Sequence, residues 1–235
     1  MVIIFFSGNL HKAREIEAIF APFRVRIYTN FMKPFEVVEC GKSFSENAKI
    51  KLNALKNAIE SQGFENIFKG EVEQKDCILM AEDSGICVES LDNFPHIFSA
   101  RFANLPPLHL RDSLSLAEGA RGWVDSTDSE NVARLIRELK AKDLSESKAQ
   151  FISCVACCKI SPKSQNLAQN TQILTTHGFL NGKVITQIKG KNGFGYDPIF
   201  IPNGFNQTLG ELDAVAKNAL SHRASALKLM ALLLK

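Results

Sequence analysis

The chain has 235 residues, with 28 Lys or Arg against 25 Asp or Glu, so its formal net charge is only +3. That balance argues against a generic nucleic-acid binder, whose surface is strongly basic. A composition of 45% hydrophobic and 23% charged residues suits a soluble globular protein with a sizeable core and excludes wholesale disorder, collagen and coiled coil.

The apolar start Val2–Phe6 turns polar at Ser7-Gly8-Asn9 and predicts a buried first strand. It lacks the basic lead and the length of a signal peptide. No run approaches the roughly 18 apolar residues of a membrane span, so a cytoplasmic protein without membrane contact is expected. A helix follows over 10–20, with Ile16, Ile19 and Phe20 on one side, then a strand over 24–28. Residues 43–62 read as a second helix, because Phe44, Ala48, Leu52 and Leu55 keep helical spacing and Ser43 with Glu46 forms a capping box. A strand over 77–81 runs into Glu82-Asp83-Ser84-Gly85, with 86–88 as its hairpin partner. Residues 102–125 read as an irregular excursion with one short helix at most. A helix over 128–139, long strands over 150–160 and 173–182 around a polar loop at 162–170, and a closing helix over 221–234 complete the chain. Strands and helices interleave without a repeat or a linker, which predicts one α/β domain, 1–235, with a mixed sheet.

Six cysteines lack the dense pairing of a secreted scaffold, and cytosolic thiols are expected. Cys154 and Cys157 make a CxxC, but on a strand residues three apart point to opposite faces. No second CxxC supplies the other ligands of a zinc site. Packed core cysteines are the expectation, redox or metal chemistry the alternative.

Three polar clusters stand at the ends of apolar strands. In Ser7-Gly8-Asn9-Leu10-His11-Lys12, Gly8 permits a tight turn, a helix start offers N–H groups to an anion, and Lys12 falls one turn in. An ordinary capped turn would look the same. Glu82-Asp83-Ser84-Gly85, with Glu39 upstream, sets adjacent carboxylates leaving a buried strand. They repel unless compensated, and such hard oxygen ligands suit Mg²⁺; an acidic β-turn is the plainer reading. In Gly193-Phe194-Gly195-Tyr196-Asp197 two glycines flank a ring that can lie against a flat ligand. Lys217, His222 and Arg223 add cationic or hydrogen-bonding groups at a helix start. Phosphate donors, paired carboxylates and an aromatic slot together are what a Mg²⁺-nucleotide site needs.

Ser7-Gly8-Asn9-x-x-Lys12, Ala81-Glu82-Asp83-Ser84-Gly85, Phe98-Ser99-Ala100-Arg101, the block from Gly193 to Phe200, and Lys217-Asn218-x-x-Ser221-His222-Arg223 resemble the inosine/xanthosine triphosphate pyrophosphatase family. The motifs occur in the family's order from residue 7 to residue 223. The resemblance implies an elongated mixed sheet flanked by helices, two lobes with a central active-site cleft, and a Mg²⁺-dependent homodimer. It also implies hydrolysis of inosine, deoxyinosine and xanthosine triphosphates to monophosphate and pyrophosphate. By similarity Ser7, Gly8, Asn9 and Lys12 hold the triphosphate, and Glu39 and Asp83 hold the metal, with Asp83 also activating water. Ser84 contacts substrate, Phe194, Gly195, Tyr196 and Asp197 line the base slot, and Lys217, His222 and Arg223 make the remaining base and phosphate contacts. The sequence departs from the family at Glu82, where Asp is commoner, and at Asp92-Asn93-Phe94-Pro95-His96, where a Gly-Gly-x-Pro-Gly turn is usual and different dihedrals are expected. It also carries an insertion near 103–125. A nucleotide sensor without turnover, a pyrimidine triphosphate pyrophosphatase and an RNA-binding module are the competing readings.

Overall fold

Ile3 to Phe6 are all buried, so β1 (Val2–Phe6) is a strand covered on both faces, as its unbroken apolar run requires. In the computed structural model, which describes residues 2–7, 9–20, 24–63, 77–108, 124–161 and 172–234, β1 lies between two parallel neighbours. Val2 stands opposite Arg24 of β2 (Arg24–Ile27) and opposite Cys77 of β3 (Cys77–Val88). Three further strands, β4 (Glu146–Ile160), β5 (Leu174–Ile185) and β6 (Phe200–Pro202), complete a six-stranded sheet in the order β2-β1-β3-β4-β5-β6. β5 and β6 are antiparallel. The sheet is therefore mixed, and helices α1 (Leu10–Ile19), α2 (Phe44–Gln62), α3 (Asp128–Lys140), α4 (Ala214–Leu220) and α5 (His222–Leu233) flank it in an α/β fold.

The chain divides into two compact units, Met1–Asp83 with Cys154–His177 and Ala226–Lys235, and Ser84–Ser153 with Gly178–Ser225. In the first, Ile3 and Phe5 of β1, Ile16 of α1, Ile78 and Met80 of β3, Val155 and Cys157 of β4, and Leu227 and Met230 of α5 form one apolar cluster. In the second, Val132, Leu135 and Leu139 of α3 pack with Phe102, Phe151, Tyr196 and Phe200.

Several boundaries differ from the sequence reading, each for a local reason. Residues 77–88 form one continuous strand, because eleven of the twelve side chains are buried and nothing interrupts the run. The acidic stretch is therefore part of β3, neither a turn nor the bend of a hairpin. Ser43 does cap α2, its Oγ accepting the Glu46 N–H at 3.2 Å. The Glu46 carboxylate, however, accepts from the Lys42 N–H at 2.7 Å, so the box is not closed on Ser43. A closed capping box stands instead at Thr127 and Glu130, at the start of α3. The closing helix is the single helix α5 (His222–Leu233), as its spacing predicts, and a short helix that the sequence reading did not place, α4, precedes it, with Ser221 leaving the helical backbone between them. Asp92, Asn93 and His96 hold φ of 52°, 66° and 53°, the left-handed region that glycine favours and that Asn, Asp and His tolerate best among other residues. A glycine-type backbone thus persists without glycine. Of the insertion, 109–123 lies outside the described residues, as does the whole polar loop at 162–170.

All six cysteines carry free thiols, five of them buried and only Cys40 exposed. Cys157 Sγ lies 3.2 Å from Met230 Sδ, whereas Cys154 hydrogen-bonds Ser45, so the CxxC sulfurs do face opposite sides of β4 and act as core packing.

Candidate active site

In the first unit the polar residues converge on the middle of β3, at Glu82 and Asp83. Ser7 Oγ accepts the Asn9 N–H at 3.0 Å and Asn9 Oδ1 accepts the Lys12 N–H at 3.2 Å, so these two side chains cap the start of α1. Gly8 lies outside the described residues. Lys12, one turn into the helix, places Nζ 2.8 Å from Glu82 Oε2. Successive strand residues point to opposite faces. Glu82 therefore shares the α1 face with Ile78 and Met80, and Asp83 faces α2.

On that second face Asp83 meets α2. Asn47 Nδ2 donates to Asp83 Oδ2 at 3.2 Å and Lys51 Nζ lies 2.7 Å from Asp83 Oδ1. The same ammonium is 3.0 Å from Glu39 Oε1. Asn47 is itself fixed by accepting the Gly41 N–H at 2.9 Å; a Cβ on Gly41 would come within 2.6 Å of that Asn47 Oδ1, which explains glycine there. Burial raises the Asp83 carboxyl, Lys51 opposes the rise and Glu39 adds to it, and the result is a carboxyl above its ordinary range. For Lys51 burial acts to lower the ammonium, but Asp83 and Glu39 together outweigh it and hold it well above the usual lysine range. The two shifts favour opposite charge states of the pair. The ammonium has the stronger claim, because two carboxylates face one cation.

Two hard oxygen donors thus aim at one point that already carries a positive charge. A divalent hard cation that takes one or two carboxylates and completes its shell with water and phosphate fits such a donor set. No cluster of three or more His, Cys, Asp or Glu suited to a metal occurs among the described residues, so at this point the protein offers the pair alone.

The second unit holds the aromatic loop. Gly193 and Gly195 have φ of 81° and 62°, and a Cβ on Gly193 would collide with Asp197. Asp197 Oδ2 accepts the Phe194 N–H at 2.8 Å and pairs with Lys217 Nζ at 2.8 Å. Lys217 Nζ stands 4.4 Å and Arg223 Cζ 5.7 Å from the centre of the half-buried Phe194 ring, within cation–π range. Arg223, 2% exposed, donates from Nη2 to Ser84 Oγ at 3.1 Å. His222 stacks on Phe151 with ring centres 4.9 Å apart. Tyr196 belongs to the core and donates its hydroxyl to the Ser99 carbonyl at 2.8 Å. Burial, and then the charge of Asp128, raise its phenol well above the ordinary value. Tyr196 and Asp197 therefore anchor the loop from beneath, whereas Phe194 stands at its crest.

Each described site residue falls in one of two groups. Ser7, Asn9, Lys12, Glu39 and Asp83 gather in the first unit, and Ser84, Phe194, Gly195, Tyr196, Asp197, Lys217, His222 and Arg223 in the second. The sequence reading overlooked Asn47 and Lys51. Their signal was there: Ser43, Asn47 and Lys51 are four apart, so they share one face of a helix whose neighbouring positions 48, 52 and 55 are apolar.

The Ham1 family model matches residues 3–232. A dITP/XTP pyrophosphatase of Campylobacter hominis is 39% identical over 100% of this chain and 97% of its own length. One from Campylobacter jejuni is 35% identical over 100% and 98%. Among solved structures, a HAM1 protein from Coxiella burnetii superposes with a TM-score of 0.70 at 28% identity, covering 100% of this chain and 98% of that one. The Staphylococcus aureus Ham1 protein gives 0.68 at 26%, with the same coverage. With full-length matches in both sequence and fold, the mixed sheet and its two polar centres are those of a member of the Ham1 family.

Proposed function

We propose that this protein hydrolyses non-canonical purine nucleoside triphosphates, among them inosine, deoxyinosine and xanthosine triphosphates, to the monophosphate and pyrophosphate. The names of its relatives support the reaction. The observation that carries it for this chain is Lys51 Nζ standing within 3.0 Å of both the half-buried Glu39 and the buried Asp83.

Hydrolysis of a triphosphate is chiefly a matter of position and charge neutralisation. Ser7, Gly8, Asn9 and Lys12 form the triphosphate cradle at the start of α1, and Glu82 holds Lys12 in place. Glu39 and Asp83 would hold Mg²⁺, which when bound neutralises phosphate charge and polarises the phosphorus under attack. Asp83 orients the attacking water at the α-phosphorus and takes its proton. A carboxylate with raised proton affinity is a stronger base than an exposed one, and Asn47 and Lys51 fix its direction. Phe194 stacks on the purine, with Gly195 leaving room for it, and Tyr196 and Asp197 support the loop. Lys217, His222, Arg223 and Ser84 supply donors to base and phosphate. A 6-oxo purine presents an acceptor where adenine presents a donor, so such a donor set favours it. The reading is of a single domain in two lobes, a homodimer of the cytoplasm.

Product analysis with inosine triphosphate and Mg²⁺, with ATP and GTP beside it, tests the reading. Inosine monophosphate and pyrophosphate with little ATP or GTP turnover are expected; diphosphate and orthophosphate would place the attack on a different phosphorus. Asp83→Asn keeps one acceptor, enough for Lys51 though not for Asn47 as well, so it should fold with a modest loss of stability while kcat falls by roughly two or more orders of magnitude. Near-wild-type turnover in that variant would remove Asp83 from the role.

A further inference from the structure

The aromatic loop is clamped from outside its own motif. Two consecutive N–H groups point out of the glycine-flanked turn, and each meets a carboxylate. Phe194 N–H donates to Asp197 inside the loop at 2.8 Å, and Gly195 N–H donates to Asp128 Oδ2 at 2.7 Å. Asp128 is exposed, 67 positions distant in sequence, and is the first residue of α3. The closed capping box of Thr127 and Glu130 fixes that helix start. Just beyond it, Asn131 is 2% exposed and holds the preceding segment: its Oδ1 accepts from the Ala103 N–H at 2.9 Å and its Nδ2 donates to the Ala100 carbonyl at 3.1 Å. Asp128 therefore projects from a rigid base.

We infer that Asp128 is a positioning residue that holds the Phe194 loop in its ligand-ready form, resting on the assignment of Phe194 to the purine. Gly193 and Gly195 give the loop wide backbone freedom, and a charge-assisted bond to the Gly195 N–H removes much of it. Without the clamp the fraction of molecules with Phe194 in place falls. Apparent affinity falls by the same fraction, while the phosphate chemistry of those that bind is unaltered. The signature is a change in KM rather than kcat, and rescue by any side chain that keeps an acceptor at the same place.

Three variants and two measurements test this on the full chain. Asp128→Ala removes the acceptor, Asp128→Asn keeps one, and Thr127→Ala weakens the same helix start while leaving Asp128. Hydrogen exchange of the Gly195 amide, read without substrate, should quicken by about tenfold in Asp128→Ala. Its KM for inosine triphosphate should rise about fivefold with kcat within about twofold. Asp128→Asn should recover most of both, and Thr127→Ala, which loosens the base but leaves the acceptor, should move both in the same direction by clearly less than Asp128→Ala, about twofold. An unchanged Gly195 exchange rate, a faster exchange with unchanged KM, or an equal KM effect in Thr127→Ala overturns the clamp. Failure of the wild-type protein to hydrolyse inosine triphosphate would sink the proposed function instead, and the exchange rates alone would then decide whether Asp128 holds the loop.

Discussion

Replacing Lys51 by methionine keeps the stem and deletes the ammonium between Asp83 and Glu39. At 2.7 and 3.0 Å, each attraction is worth roughly 6 kcal/mol at an effective dielectric of about 20. Burial of the charges and repulsion between the carboxylates cancel most of it. The net loss on removing one member of a buried pair is about 3–5 kcal/mol, because the remaining charge stays buried. The loss should depend on pH. In the variant Asp83 keeps its buried position and the Glu39 charge, so its proton affinity in the folded state climbs further. Below pH of about 4 the carboxyl is protonated in both folded and unfolded chains and adds no penalty. As pH rises past that value, the unfolded chain ionises more readily than the folded one, and stability falls. The wild-type ammonium stays charged throughout, so the gap between the two proteins is widest at neutral pH and narrows toward pH of about 4 to 5. Urea denaturation followed by circular dichroism at two pH values measures it. A loss under about 1 kcal/mol, or one equal at both pH values, would mean that Lys51 does not neutralise a buried carboxylate.

Other substitutions probe the scaffold. Gly182 of β5 faces Pro202 of β6, and an added Cβ would fall on the Ile201 carbonyl and within 2.7 Å of the Phe200 ring. Gly182→Ala should therefore cost about 1–3 kcal/mol in thermal or urea unfolding. Asn93→Gly relieves a left-handed backbone at φ 66° and should gain a few tenths to about 1 kcal/mol in urea unfolding, and a net loss would show that the backbone there is unstrained. Native protein treated with a thiol reagent should react at Cys40 alone. Burial pushes the Cys87, Cys154 and Cys158 thiols up to about 11 and Cys157 to about 12, and all six should react once the chain is unfolded. Rapid labelling of a second thiol in folded protein would contradict that burial.

How much of this was legible in the sequence depends on the range over which each signal acts. Apolar runs and helical spacing are local, and they located β1, α1, α2 and the long strands β4 and β5 to within a few residues. Burial on both faces is not a local property. Residues 82 to 85 read as a turn because they are acidic and contain glycine, yet Glu82 and Asp83 are 3% and 5% exposed and continue the strand. Each carboxylate is balanced by a lysine 70 or 32 positions away. A buried charge with its partner that far off cannot be told from a surface charge by composition. Short elements such as β6 and the 3₁₀ turn Asp197–Ile199 are likewise set by what they pair with.

The convergence on Asp83 follows from a feature that the sequence does display. Where a helix begins decides which of its residues share a face. Ser43 fixes that beginning by capping the Glu46 N–H, and with the start fixed, positions 47 and 51 fall on the side that meets β3. A shift of one residue in the cap would rotate that face by about 100° and carry Asn47 and Lys51 away from Asp83. The hydroxyl of Ser43 touches none of the reacting groups, yet it sets the phase of α2. Ser43→Ala should for that reason disturb the Asp83 centre beyond the about 1 kcal/mol expected of an ordinary lost cap. The check is the kcat of Ser43→Ala set beside its urea stability, where kcat should fall well beyond about twofold although the fold is kept. A kcat within about twofold of wild type beside a stability loss of about 1 kcal/mol would reduce Ser43 to a cap like any other.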